Sequence, residues 1–131
     1  MNGYIVNLEK VTLENTDFRR VLYTAPNSQL VLMNIKSQED IGEEVHTLDQ
    51  FIRIESGEGK AILNGKEHDI KAADGIVIPA GTRHNVVNTG SSDLKLYTVY
   101  SPPEHIDGTT HATKQDALSD TYDEFDGKTT E

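Results

Sequence analysis

The 131-residue chain carries 22 acidic side chains against 12 basic ones, which gives a net charge of −10, and it contains no cysteine. This length suffices for one domain with its own hydrophobic core, and the lack of cysteine excludes disulfide bonds and thiolate metal sites. The acidic excess argues against nucleic acids and anionic membranes as partners, because both are bound by clusters of lysine and arginine.

The amino-terminal segment shows no pattern of export or membrane insertion. It reads MNGYIVNLEKVTLEN, without a charged segment followed by an apolar run, and no apolar stretch approaches the roughly 20 residues that span a bilayer. We therefore expect a soluble cytoplasmic protein.

Short β-strand patterns follow one another along the chain up to Pro102. β-branched and aliphatic runs predict strands at 4–8, 18–25, 28–36, 50–56, 59–65, 66–72, 75–80, 83–89 and 93–101. Turn signals separate them, and Asn64-Gly65 predicts a two-residue hairpin. Because no helical pattern lies between the strands, the sequence predicts an all-β sandwich or barrel.

The residues after the last strand form an acidic segment. Residues 104–131 hold eight acidic side chains and two lysines, a short helical pattern around Lys114 to Ser119, and the histidines His105 and His111. The segment has too little apolar content for a second domain. It is either a solvated, partly disordered tail or an extension that covers the barrel mouth and turns a histidine toward a ligand.

Four polar side chains occupy positions that a strand would normally bury. Glu44 and His46 share one strand face, while Gln50 and His84 each share a face with apolar residues of their own strands. A carboxylate, an amide and two imidazoles inside an apolar barrel would be costly unless they paired or bound an ion. A divalent transition metal (Mn, Fe, Ni, Zn or Co) suits these ligand types.

The spacing of these residues resembles the two motifs of small single-domain cupins. In residues 42–59, His46, Gln50 and Gly57 fit the second His, the Glu and the last Gly of the first motif. In residues 73–88, PAGTRHNVVN matches the second motif, and Ala73 stands where its first Gly would be. The resemblance covers about residues 28–102. It is to RmlC-like cupins of the Cupin_2 type, some of which carry the loose label mannose-6-phosphate isomerase-like.

This resemblance implies a fold and a ligand set. The fold is a double-stranded β-helix, or jelly-roll barrel, over residues 1–103, followed by the partly helical acidic extension 104–131. Cupins usually hold a metal with three His and one Glu, and the matching positions here are Glu44, His46, Gln50 and His84. Glu43 is the competing carboxylate if the strand carries a bulge.

Three functions remain open on this basis. The first is a metal-dependent enzyme of the isomerase or dioxygenase type, whose divalent metal acts as Lewis acid on a small oxygen-rich substrate. The second is a non-catalytic module that binds a small ligand or metal. The third is a metal-free epimerase with a histidine as acid or base. Because small cupins commonly pair, we expect a homodimer that binds a small molecule, without nucleic acid or membrane partners.

Overall fold

Nine β-strands and two short helices make up the computed structural model, which describes residues 1–131. In chain order they are α1 (Leu8–Glu14), β1 (Arg19–Thr24), β2 (Gln29–Ile35), β3 (Asp49–Ser56), β4 (Glu58–Leu63), β5 (Lys66–Lys71), β6 (Gly75–Ile78), β7 (His84–Val87), β8 (Leu94–Ser101), β9 (Thr110–His111) and α2 (Lys114–Ser119). Neither helix is long and apolar enough to span a bilayer.

The strands form two antiparallel sheets. One has six strands in the order β6-β3-β8-β2-β1-β9, and the other has three in the order β5-β4-β7. A single cluster of 16 buried apolar residues joins them, with Ile52 and Leu96 from the larger sheet and Ala61 and Val86 from the smaller one. The predicted all-β jelly-roll barrel is confirmed.

Alternation along the central strands decides which side chains enter the barrel. On β8, Leu94, Leu96, Thr98 and Tyr100 are buried, and the residues between them are half-buried. The register pairs Ile52 with Thr98 and places Gln50 beside Tyr100. Each aliphatic side chain buried here contributes about 1.5–3 kcal/mol. The same pleat carries Gln50 and Tyr100 into the interior at the end of the apolar rows.

The hairpin predicted at Asn64-Gly65 connects β4 to β5. Both residues have positive φ, 49° and 81°, as a type I′ turn requires, and Leu63 pairs with Lys66 across it. On its other side β4 pairs with β7, where Leu63 lies opposite His84. The hairpin therefore fixes the strand next to one of the predicted metal ligands.

The strand predicted at residues 4–8 is wrong, as is the absence of helix before Pro102. Tyr4 and Ile5 are exposed, and α1 begins directly after them. Asn7 caps this helix, because its side chain accepts a hydrogen bond from the Lys10 N–H at 3.2 Å. The apolar run in YIV was too short to outweigh this cap without a sheet edge to join.

The acidic extension packs against the barrel. Its strand β9 pairs with β1, and Thr130 N–H donates to the Thr24 carbonyl at 3.0 Å. Helix α2 spans the predicted residues, and a capping box of Thr113 and Asp116 begins it. His105 and His111 are only 6% and 5% exposed. This packing favours the covering extension over the solvated tail.

Candidate metal centre

Glu44, His46 and His84 come together at one end of the barrel. Glu44 and His84 lie opposite each other in an isolated antiparallel bridge. The His46 and His84 rings have their centroids 5.2 Å apart. One ligand atom from each of the three side chains lies within 4.8 Å of the other two. The local chain path thus presents a carboxylate and two imidazoles to one point.

Gln50 lies on β3 opposite Tyr100 of β8, whose ring contacts His46, and its carbonyl oxygen is free. Its Nε2 donates to Thr98 Oγ1 at 3.0 Å, and that hydroxyl donates to the Phe51 carbonyl at 2.8 Å. Because the hydroxyl proton is already used, the amide must present its N–H₂ to Thr98. The Gln50 Oε1 is therefore turned away from Thr98, and it is buried without a hydrogen-bond partner. A buried orphan acceptor of this kind calls for an explanation.

Each histidine has one ring nitrogen next to an oxygen acceptor. His84 Nδ1 lies 2.8 Å from the Thr82 carbonyl oxygen, so it carries the proton and leaves a lone pair on Nε2. Glu104 Oε2 lies 3.4 Å from His46 Nδ1. On the other side of that ring, Nε2 is 2.7 Å from Glu44 Oε2. Acceptors behind the rings are the usual means of orienting histidine ligands.

Charge interactions keep this group ionised. Burial raises the pKa of Glu44, but contact with His46 outweighs burial and leaves that pKa below its usual value. Burial lowers the pKa of His46, and the contact with Glu44 and the charge of Glu104 more than reverse this. Burial raises the pKa of Glu104. The group therefore contains a stable carboxylate directly beside an imidazole.

The donor set fits a divalent transition metal. Two imidazole nitrogens, one carboxylate oxygen and one amide oxygen are ligands of the borderline and hard kind, and no thiolate competes with them. The unpartnered Gln50 Oε1 is the observation that a bound cation would explain. The competing carboxylate Glu43 is turned outward, where it accepts a hydrogen bond from Arg83 at 2.6 Å with 58% of its side chain exposed.

Tyr100 and Glu104 also border the site. The sequence places Tyr97 and Tyr100 on opposite faces of the last strand without deciding which one lines the pocket, and it does not mark Glu104. The Tyr100 ring stands edge-on to His46 at 6.0 Å and is 2% exposed. The burial alternation of β8 would have selected Tyr100 over Tyr97 for the interior. Glu104 lies three residues beyond β8, where its backbone N–H donates to Gln29 Oε1 at 3.2 Å, and its carboxylate reaches His46 from there.

Two other features do not belong to the site. His111, Asp120 and Asp123 lie within ligand distance of one another, but their polar atoms are taken up by hydrogen bonds, including His111 Nε2 to Asp120 at 2.9 Å. The largest cavity, of about 480 Å³, is lined by Glu58, Gly59, Asp69, Ile70, Lys71, Asp74 and Thr89. It contains none of the predicted metal ligands.

Comparison with known proteins identifies the family. The model described as Cupin domain matches residues 31–100. The chain belongs to the cupin family. This cupin is 44% identical to the uncharacterized protein YrkC of Bacillus subtilis over 124 residues, covering 88% of the chain and 66% of YrkC. The chain thus spans about two thirds of that relative.

Two crystal structures resemble this cupin. A protein from Bacillus halodurans is 43% identical, with a TM-score of 0.88 over 90% of this chain and 95% of the other. A predicted oxalate decarboxylase from Thermotoga maritima is 29% identical, with a TM-score of 0.55 over 57% of this chain and 66% of the other. The first similarity extends the shared fold to nearly the whole chain.

Proposed function

We propose that this cupin is a metal-dependent enzyme of the isomerase or dioxygenase type that acts on a small oxygen-rich substrate. Glu44, His46, Gln50 and His84 would hold a divalent transition metal. The observation that carries the proposal is the buried Gln50 Oε1, which has no partner and belongs to a side chain fixed by Thr98. The similarity to a predicted oxalate decarboxylase supports an enzyme of oxygen-rich compounds.

The protein's own residues would prepare the site for this chemistry. When bound, a divalent metal supplies Lewis acid polarisation of a substrate oxygen. The Thr82 carbonyl holds the proton of His84 on Nδ1, away from Nε2. Glu104 lies 3.4 Å from His46 Nδ1, where it would orient that ring. Tyr100 fills the interior beside His46 and keeps water from the inner side. Glu44 and Glu104, with side chains 32% and 30% exposed, border the open side.

One observation favours a metal-free epimerase as the second candidate. The 2.7 Å contact of Glu44 with His46 is the arrangement of a carboxylate that orients a proton-transferring histidine. This function needs His46 to exchange protons with a substrate, and a metal on Nε2 would prevent that. The same contact therefore supports either function, and metal content separates them.

Metal analysis by inductively coupled plasma mass spectrometry tests the proposal on untagged wild type, His84→Ala and His68→Ala. His68 is an exposed histidine on β5, so its variant controls for adventitious surface binding. We expect near-stoichiometric transition metal in wild type and His68→Ala, and little in His84→Ala. No metal in wild type, even after reconstitution with Mn, Fe, Ni, Zn or Co, would leave the epimerase as the better function.

A further inference from the structure

Arg19 is a buried arginine without a carboxylate partner. It begins β1 on the inner face, is 7% exposed, and takes part in none of the ion pairs of the protein. Its one side-chain hydrogen bond joins Nη1 to His111 Nδ1 at 3.4 Å, and its Nε is buried without a partner. Arginine is almost never buried unless it is paired. The other interaction of Arg19 is with the Phe18 ring, whose centroid lies 5.3 Å from Cζ, so the chain supplies no anion for this guanidinium.

His105 and Tyr100 add two more unused polar groups. His105 Nδ1 is paired with Asp123 Oδ2 at 2.7 Å, while its Nε2 is buried and has no partner. The His105 ring lies edge-on to Tyr100 at 5.1 Å. The Tyr100 ring is buried, and its hydroxyl is a further hydrogen-bond donor.

These groups are connected and lie beside the metal centre. His111 contacts Arg19, and one of its ring nitrogens lies within 4.8 Å of an oxygen of Asp123, which is the partner of His105. Tyr100 contacts both His105 and His46.

We propose that Arg19, with His105 and Tyr100, binds the carboxylate group of a small organic acid next to the metal centre. A guanidinium fork matches a carboxylate with two parallel hydrogen bonds. Arg19 is the only lysine or arginine in the group. Its single positive charge balances one carboxylate but not a phosphate dianion. One feature of the ligand rests on the proposed function: beside the carboxylate, the ligand carries a second oxygen that would bind the metal.

The competing explanation gives Arg19 a purely structural role. Its contact with His111 could serve only to hold β9 and the acidic extension on the barrel. In that case removal of the guanidinium would lower thermal stability without changing how the protein responds to anions. Binding must therefore be measured separately from stability.

Isothermal titration calorimetry of the metal-free and the manganese-loaded protein tests the inference with acetate, oxalate, malonate and inorganic phosphate. The variants are Arg19→Met, Arg19→Lys and Tyr100→Phe. The matched control is Arg20→Met, because Arg20 is the next residue of β1 and is exposed on the opposite face. Circular dichroism checks the fold, and metal content is measured for each variant.

We expect wild type to bind oxalate or malonate in both forms, and more tightly with manganese. Arg19→Met should weaken this binding by roughly tenfold to a hundredfold, Arg19→Lys and Tyr100→Phe by less, and Arg20→Met not at all. Equal affinity in wild type and Arg19→Met, no carboxylate binding by wild type, or tighter binding of phosphate would each overturn the inference. If Arg19→Met does not fold, unchanged affinity in Tyr100→Phe overturns it.

The two proposals fail in different ways. Carboxylate binding that depends on Arg19 in a protein that retains no metal would contradict the proposed function and support this inference. Stoichiometric metal, together with a carboxylate affinity that is the same in wild type and Arg19→Met, would support the proposed function and contradict this inference.

Discussion

Glu44 and His84 face each other across an antiparallel bridge in which each backbone N–H donates to the other's carbonyl at 2.9 Å. The backbone holds this pair, so the side chains are free for a ligand. Glu44→Gln should therefore keep the fold and remove the only carboxylate among the four predicted ligands. We expect the affinity for Mn, Ni, Co or Zn to fall by about tenfold to a hundredfold. Competition with a chromophoric chelator measures it.

Glu43→Gln is the matched control for this prediction. The two glutamates are adjacent, but Glu43 pairs with Arg83 at the surface. Its variant should bind metal as wild type does. An equal loss of affinity in both variants would mean that general negative charge, rather than ligation by Glu44, attracts the cation.

Glu104 is expected to act as a positioning residue for His46. Its carboxylate lies 3.4 Å from Nδ1, so Glu104→Gln should weaken metal binding by about tenfold to a hundredfold. It should also shift the His46 ring in ¹⁵N spectra toward a mixture of tautomers. Glu124→Gln, an exposed change in the same extension, serves as control. An unchanged His46 tautomer in Glu104→Gln would refute the role.

Local patterns were enough to predict the barrel and the approach of its polar residues. Strand periodicity and the Asn64-Gly65 turn gave the sheets, since these features depend on neighbouring residues only. The spacing of His46 and His84 pointed to one site, and the structure brings these residues together with Glu44. The alternation of buried and half-buried residues along β8 places Tyr100, rather than Tyr97, in the interior.

Contacts made by the returning chain could not be predicted. The acidic composition of residues 104–131 indicates solvent exposure, yet two buried histidines and their aspartates hold this segment on the barrel. Arg19 lies 86 residues before His105, and nothing local marks it as interior. The Asn7 cap is a local signal, but it competes with the apolar run YIV, and only the absence of a sheet edge for that run decides for the helix.

The Asp123–His105 pair should stabilise the fold in a pH-dependent way. Both side chains are 7% exposed and 2.7 Å apart. Asp123→Asn leaves His105 without its partner, so we expect the free energy of unfolding to fall by about 3–5 kcal/mol at neutral pH. Urea denaturation measures it. The control is Asp126→Asn, because Asp126 is exposed in the same segment.

The sign of the pH dependence follows from the pKa of Asp123. Burial raises this pKa, but the hydrogen bond from His105 outweighs burial, so the folded pKa lies below the usual value of 3.8. Such a group contributes its stability above the unfolded pKa and loses it as pH falls through the folded pKa. The difference between wild type and Asp123→Asn should therefore shrink below about pH 4. A difference that stays constant to pH 3 would contradict a carboxylate stabilised by this hydrogen bond.

Gly59 links backbone packing to the metal centre. A Cβ at this position would lie 2.1 Å from the Val87 carbonyl oxygen, and β7, which carries His84, would have to move away from β4. Gly59→Ala should therefore lower both the free energy of unfolding, by about 1–3 kcal/mol, and the metal affinity.

Gly65→Ala is the control for this prediction. Its φ of 81° strains an alanine, but a Cβ there meets nothing within 4 Å. That variant should lose about 1 kcal/mol of stability and retain its metal affinity. Equal metal affinity in both variants would show that the site does not depend on the β4–β7 spacing.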